Sequence, residues 1–249
     1  MRTDPLGRRL LAEFLGTGLL VTAVVGSGIA AANLSPGNTG LELLENAAAT
    51  AGALVALILA FGPVSGAHFN PVVTLADRVF GGITTRDSLG YIVAQVAGAL
   101  CGALVANAMF ALPVFEVSTK TRSGGPLWLG EVVATFGLVL VIFGVVRSGR
   151  ASVAAFVVGA YIGGAYFFTS STSFANPAVT IGRTITNTFA GIKPSSAPMF
   201  IVMQFIGATL AVVVAWVLYP HIAESAADVV VPHPADTTDE GSQPTEVHA

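Results

Sequence analysis

Charge is what this sequence has least of. Asp, Glu, Lys and Arg make up 10% of its 249 residues, against roughly 25% in a soluble domain, and so few cannot clothe a globule of this size. A soluble enzyme is disfavoured from the outset. Cysteine is nearly absent too: Cys101 stands alone, which excludes an intrachain disulfide framework. No Cys/His cluster has metal-ligand spacing, so neither a metal nor a cofactor is implied. No dense basic stripe offers a nucleic-acid footprint. The net charge of −3 describes the chain poorly, because Glu224, Asp228, Asp236, Asp239, Glu240 and Glu246 crowd into 221–249, where there is no Lys or Arg. The body before that tail carries 11 basic and 8 acidic residues.

What is abundant is apolar sequence, at 53% hydrophobic residues with 28 glycines and a mean hydropathy of +0.77. A bilayer core needs about 20 mainly apolar residues per helix. Six stretches qualify, near 9–32, 46–62, 88–110, 127–147, 152–169 and 198–219, the second and fifth being short and rich in Ala and Gly. The first follows Arg8-Arg9, is too long for a signal-peptide core and lacks a small-residue cleavage pattern, so it reads as a retained helix. With the N-terminus inside, Arg2, Arg8, Arg9, Arg78, Arg86, Arg147 and Arg150 fall on the cytoplasmic side, and Lys120, Arg122, Arg183 and Lys193 outside. That asymmetry has the sign expected for a multi-pass protein of the plasma (inner) membrane with both termini cytoplasmic.

The two halves resemble each other. AEFLGTGLLV at 12–21 aligns with GEVVATFGLV at 130–139, HFNPVVT at 68–74 with FANPAVT at 174–180, and AQVAGA at 94–99 with MQFIGA at 203–208. Each half holds three crossings, so the second must be inverted, and inverted repeats put the functional site near the midplane between them. The expected organisation is a body over 1–220, with repeats near 8–112 and 126–220. The proline-bearing acidic stretch 221–249, which includes His221, His233 and His248, reads as a disordered cytoplasmic tail.

Asn70-Pro71-Val72 and Asn176-Pro177-Ala178 share one physical design. Asn is a preferred N-cap and Pro suits the first helical position, so each motif starts a helix. The apolar residues that follow are too few to span a bilayer: about eight cover roughly 12 Å. One loop enters from each side, so the two N-termini meet at the midplane, where their partial positive charge opposes cations, protons included. Glu13 and Glu131 are carboxylates inside helices. Such acids can serve as proton relays or as braces accepting loop N–H groups.

These residues carry a resemblance. AEFLGT, SGAHFNPVVT and the second Asn-Pro-Ala box are similar to the aquaporin, or major intrinsic protein, family over roughly 8–220, the first box departing only in Val72. The resemblance implies an all-α membrane fold of six tilted helices plus two half-helices. It implies a homotetramer with one pore per subunit, passive conduction of small neutral solutes such as water and glycerol-like polyols, and no catalysis. It favours the brace for Glu13 and Glu131. His68 looks like the family's pore histidine, with a packed loop histidine as the alternative. Many members place Arg three residues after the second Asn, where this chain has Val179. Matching the family's other three filter positions by their distance from the boxes gives Thr50, Gly164 and Ser173, so the resemblance implies a wide filter without aromatic ring or cation. A bacterial branch associated with arsenic detoxification similarly replaces the arginine with a small residue, which makes arsenous acid and methylated arsenicals candidate solutes. Arg183, one turn beyond Val179, could place a cation in the outer vestibule or merely meet lipid headgroups or a neighbouring loop.

Two rival classes remain open on the residues alone. An ion-coupled secondary transporter also uses inverted repeats and interrupted helices. An intramembrane enzyme would need a nucleophile–base constellation, and Ser65 with His68 has no third group to orient it.

Overall fold

The computed structural model describes residues 4–219, so the acidic tail expected over 221–249 lies outside the described residues. Everything regular among the described residues is helical. Six helices are long and apolar enough to cross a membrane: α1 (Leu6–Leu34), α2 (Thr39–Ser65), α4 (Thr85–Met109), α5 (Gly125–Arg147), α6 (Ala154–Phe168, prefixed by a 3-10 turn at Ala151–Val153) and α8 (Ala197–Leu218). Between them sit two short helices, α3 (Pro71–Phe80) and α7 (Pro177–Gly182), the latter continued by a 3-10 turn at Arg183–Ile185. The protein is a multi-pass membrane protein. All six expected crossings are present, while the two half-helices, expected near eight residues each, have ten and six.

Each half uses the same packing. α1 lies against α2 and α4, α5 against α6 and α8, and each half-helix also packs on the last span of the opposite half. The close crossings depend on missing side chains. A Cβ on Gly102 would stand 2.1 Å from the Gly18 carbonyl oxygen, and one on Gly98 would stand 2.2 Å from that of Phe14. Lipid tails are as apolar as Leu, so association in the bilayer rests on such backbone proximity; the Thr22 hydroxyl adds a hydrogen bond to the Gly102 carbonyl at 3.1 Å. Leu15, Leu19, Val93, Phe156, Val202 and Leu210 stay exposed on the outer faces, as lipid contact requires.

Candidate functional site

The two Asn-Pro turns meet head to head. Asn70 and Asn176 cap their own helices, Asn70 Oδ1 accepting from Val72 N–H (3.1 Å) and Asn176 Oδ1 from Ala178 and Val179 N–H (3.0 and 3.2 Å). Each amide nitrogen then reaches across the repeat. Asn70 Nδ2 donates to the Ala175 carbonyl and Asn176 Nδ2 to that of Phe69, both at 2.8 Å. An amide nitrogen has two hydrogens, so each side chain keeps one for the lumen it borders. The positive ends of both half-helices therefore face one point.

The chain reaches that geometry through strained loops. Ala67 (φ 47°) and Phe69 (φ 49°) stand three and one residues before Asn70, and Ser173 (φ 50°) and Ala175 (φ 46°) stand likewise before Asn176. Left-handed non-glycine residues cost of order 1–3 kcal/mol each and persist only where their surroundings over-determine them. The buried carboxylates supply that determination. Glu13 accepts from His68 and Phe69 N–H (3.0 and 2.8 Å), the Ser65 hydroxyl (2.6 Å) and the Gln95 amide (2.7 Å). Glu131 accepts from Phe174 and Ala175 N–H (2.9 Å each) and from the Gln204 amide (2.6 Å). Gln95 and Gln204 also donate to Thr74 and Thr180, so each brace ties a loop to its half-helix and to a full span.

A narrow cavity of about 60 Å³ runs along this junction. One water needs roughly 10–15 Å³, so the space admits a short file of them. Apolar side chains form most of its wall, among them Leu54, Ile58, Leu138 and Val158. Its polar groups are few: Thr50, His68, Asn70, Tyr166, Ser173, Asn176 and Arg183. His68 borders the lumen and is also tied to the protein, its Nδ1 3.1 Å from Thr74 Oγ1 and its Nε2 3.4 Å from Asp77 Oδ2.

Of the four expected filter positions, Thr50, Ser173 and Val179 border this cavity. Gly164 does not. It is exposed on the outer side of α6, where an added Cβ would meet only the Phe168 ring. With Val158 and Ile162, α6 turns Tyr166 inward, its hydroxyl 3.1 Å from Thr50 Oγ1. The cavity therefore has an aromatic ring where none was expected. It also has a cation. Arg183 does not meet headgroups: it is 3% exposed, borders the cavity, meets a neighbouring loop by donating through Nε to the Ala190 carbonyl, and places its guanidinium carbon 3.4 Å from the Phe174 ring centre. Sequence reasoning missed Tyr166, Phe174 and Asp77. The last two had a readable signal, since Phe174 and Asp77 sit at repeat positions already occupied by His68 and Arg183.

This arrangement matches what comparison with known proteins returns. The model of the major intrinsic protein family matches residues 1–175. The chain belongs to that family. It is 49% identical over 221 residues to aquaglyceroporin AqpS of Rhizobium meliloti, covering 88% of this chain and 94% of that one. It is 32% identical over 248 residues to the probable aquaporin AqpM of Archaeoglobus fulgidus, covering 89% and 99%. Among solved structures, the aquaglyceroporin from Plasmodium falciparum superposes with a TM-score of 0.68 over 88% of this chain and 99% of that one, at 19% identity, a likeness of fold. As a major intrinsic protein the chain is a membrane channel for small solutes and not an enzyme, which removes the Ser65–His68 reading.

Proposed function

We propose that this channel passes small neutral solutes passively and in both directions, taking glycerol-like polyols and water, with undissociated arsenous acid and methylated arsenicals as candidates. The observation that carries the reading is the mutual capture of Asn70 and Asn176 across the repeat. It fixes two helix N-termini on one short, mostly apolar lumen, penalises cations without a moving part and leaves two amide hydrogens for a solute. Val72 stands where the first box departs from Asn-Pro-Ala; its N–H still closes the Asn70 cap, so the substitution costs the turn nothing. We assign the filter to Thr50, Tyr166, Ser173, Val179 and Arg183, with His68 lining the inner half and Glu13 and Glu131 as braces. The small Val179 is what favours the larger arsenicals. The reading includes a homotetramer in the plasma membrane with both termini cytoplasmic, so that Lys120, Arg122 and Arg183 border the outer mouth.

Stopped-flow light scattering on proteoliposomes tests it. Glycerol and water should equilibrate faster than in empty vesicles, without current and without response to ionophores. Flux abolished by collapsing an ion gradient would instead mark an ion-coupled transporter.

A further inference from the structure

The outer mouth holds more positive charge than a passage for neutral solutes requires. Arg122 and Arg183 share the Phe174 ring, their guanidinium carbons 5.1 and 3.4 Å from its centre. Lys120 Nζ lies 4.9 Å from the centre of the Phe189 ring and donates to the Phe189 carbonyl at 2.8 Å, while Arg122 Nε donates to that of Gly191 at 3.0 Å. Among the described residues, none of these three cations forms an ion pair with an acid. Glu131, whose field reaches Arg122 and Arg183, is already committed to two backbone N–H groups and Gln204. Carbonyl oxygens and ring faces soften this gathering of like charge but do not neutralise it.

Two groups inside the mouth are left for a ligand. The Arg183 side chain is anchored through Nε alone, and its two terminal nitrogens make no hydrogen bond among the described residues. Ser173 is 3% exposed, and its Oγ is buried without a hydrogen-bond partner. Both residues border the same cavity. The end of a guanidinium offers two parallel N–H groups matched to two oxygens of one anion, and a serine hydroxyl can donate a third hydrogen bond. A ring below the guanidinium holds its plane, so the fork is set before a ligand arrives.

We propose that the outer mouth binds one small monovalent anion of the carboxylate or sulfonate type, held by the terminal nitrogens of Arg183 and the Ser173 hydroxyl under the field of Arg122 and Lys120. The bound anion stands in the path of neutral solutes and slows them, a consequence that rests on the channel reading above.

Methanesulfonate is a suitable probe, being fully ionised and unable to cross the bilayer as a neutral acid. Titration calorimetry on the purified full-length protein should show saturable binding, weakened at least tenfold in Arg183→Gln and recovered in part by Arg183→Lys, which keeps charge but loses the fork. Lys120→Gln, in the loop between α4 and α5, should weaken it about threefold in folded protein. Absence of saturable binding by folded wild-type protein, or equal binding by Lys120→Gln and Arg183→Gln, overturns the site. In proteoliposomes, saturating methanesulfonate on both sides should slow glycerol flux about threefold; undiminished flux overturns the obstruction. Wild-type protein that binds the anion yet passes no glycerol upholds the site and sinks the glycerol reading instead.

Discussion

Phe174 and Arg183 are in face contact, the guanidinium carbon 3.4 Å from the ring centre, and the other half of the molecule repeats the pairing with different chemistry. Phe174 stands two residues before Asn176 and Arg183 seven after it; His68 and Asp77 have the same offsets from Asn70. Their contact is an imidazole Nε2 3.4 Å from a carboxylate oxygen. One position of the repeat thus holds a buried base at one mouth and a buried acid at the other. The duplication fixes the geometry of the lumen, and the two contact pairs make its ends electrostatically unlike.

If Phe174 holds the arginine, Phe174→Leu should free it. A cation–π contact is worth about 0.5–2 kcal/mol, so the protein should lose a few degrees of melting temperature. A mobile guanidinium no longer screens the lumen at a fixed width, and the ratio of glycerol to water permeability should rise. An unchanged ratio in the folded variant would show that the ring only packs.

Tyr166 and Gly164 separate two assignments of the filter. Tyr166→Phe removes the hydroxyl beside Thr50 Oγ1, at a cost of about 0.5–1.5 kcal/mol, and should alter glycerol flux more than water flux. Gly164→Ala adds a methyl on the exposed side of α6 and should leave both unchanged. The opposite pattern would return Gly164 to the lumen.

The two assignments differ for a geometric reason. Two residues along a helix turn through about 200°, so a two-residue error in depth moves an assignment from the lumen to the lipid. α6 is rich in Ala and Gly and begins in a 3-10 turn, which deprives it of the polar stripe that would have fixed its face. The Asn-Pro turns were legible because capping chemistry is local and occurs twice. The crossings were legible because bilayer thickness sets their length. Which of its alternatives Arg183 takes was not, because that depends on a ring and a carbonyl brought in by separate loop segments.

Glu131→Gln tests the brace against a proton relay. The amide keeps one acceptor oxygen and turns an NH₂ toward groups that donate, the N–H of Phe174 or Ala175 and the amide of Gln204. Each buried donor left unsatisfied costs about 1–3 kcal/mol. We expect a marked fall in melting temperature and yield, with no pH-linked uptake in wild-type protein to lose. A stable variant that loses a pH-dependent flux would establish the relay.

The mouth that Lys120 borders should respond to pH through that residue. Burial, reinforced by Arg122 and Arg183 and opposed by Glu42, lowers its ammonium to about 8. The group is charged below that value and neutral above it, so methanesulfonate binding should weaken as pH rises from 7 to 9. Lys120→Gln should flatten the profile over that interval. A slope that survives the substitution would assign the titration elsewhere.

Val179→Arg restores an arginine three residues after Asn176, but into a lumen that already has one. Val179 and Arg183 lie one turn apart on one face, about 6 Å along the axis, and both are buried. A second unpaired cation there costs several kcal/mol, since the Ala190 carbonyl is already bound to Arg183. The single variant should therefore melt lower, and it should slow glycerol and methylated arsenicals more than water, because water tolerates a tighter opening. Val179→Arg combined with Arg183→Val removes the repulsion and frees that carbonyl. It should recover most of the lost melting temperature while glycerol flux stays low. Undiminished glycerol flux in either folded variant would mean that Val179 does not border the constriction. Failure of the double variant to recover stability would mean that the two positions do not share one electrostatic site.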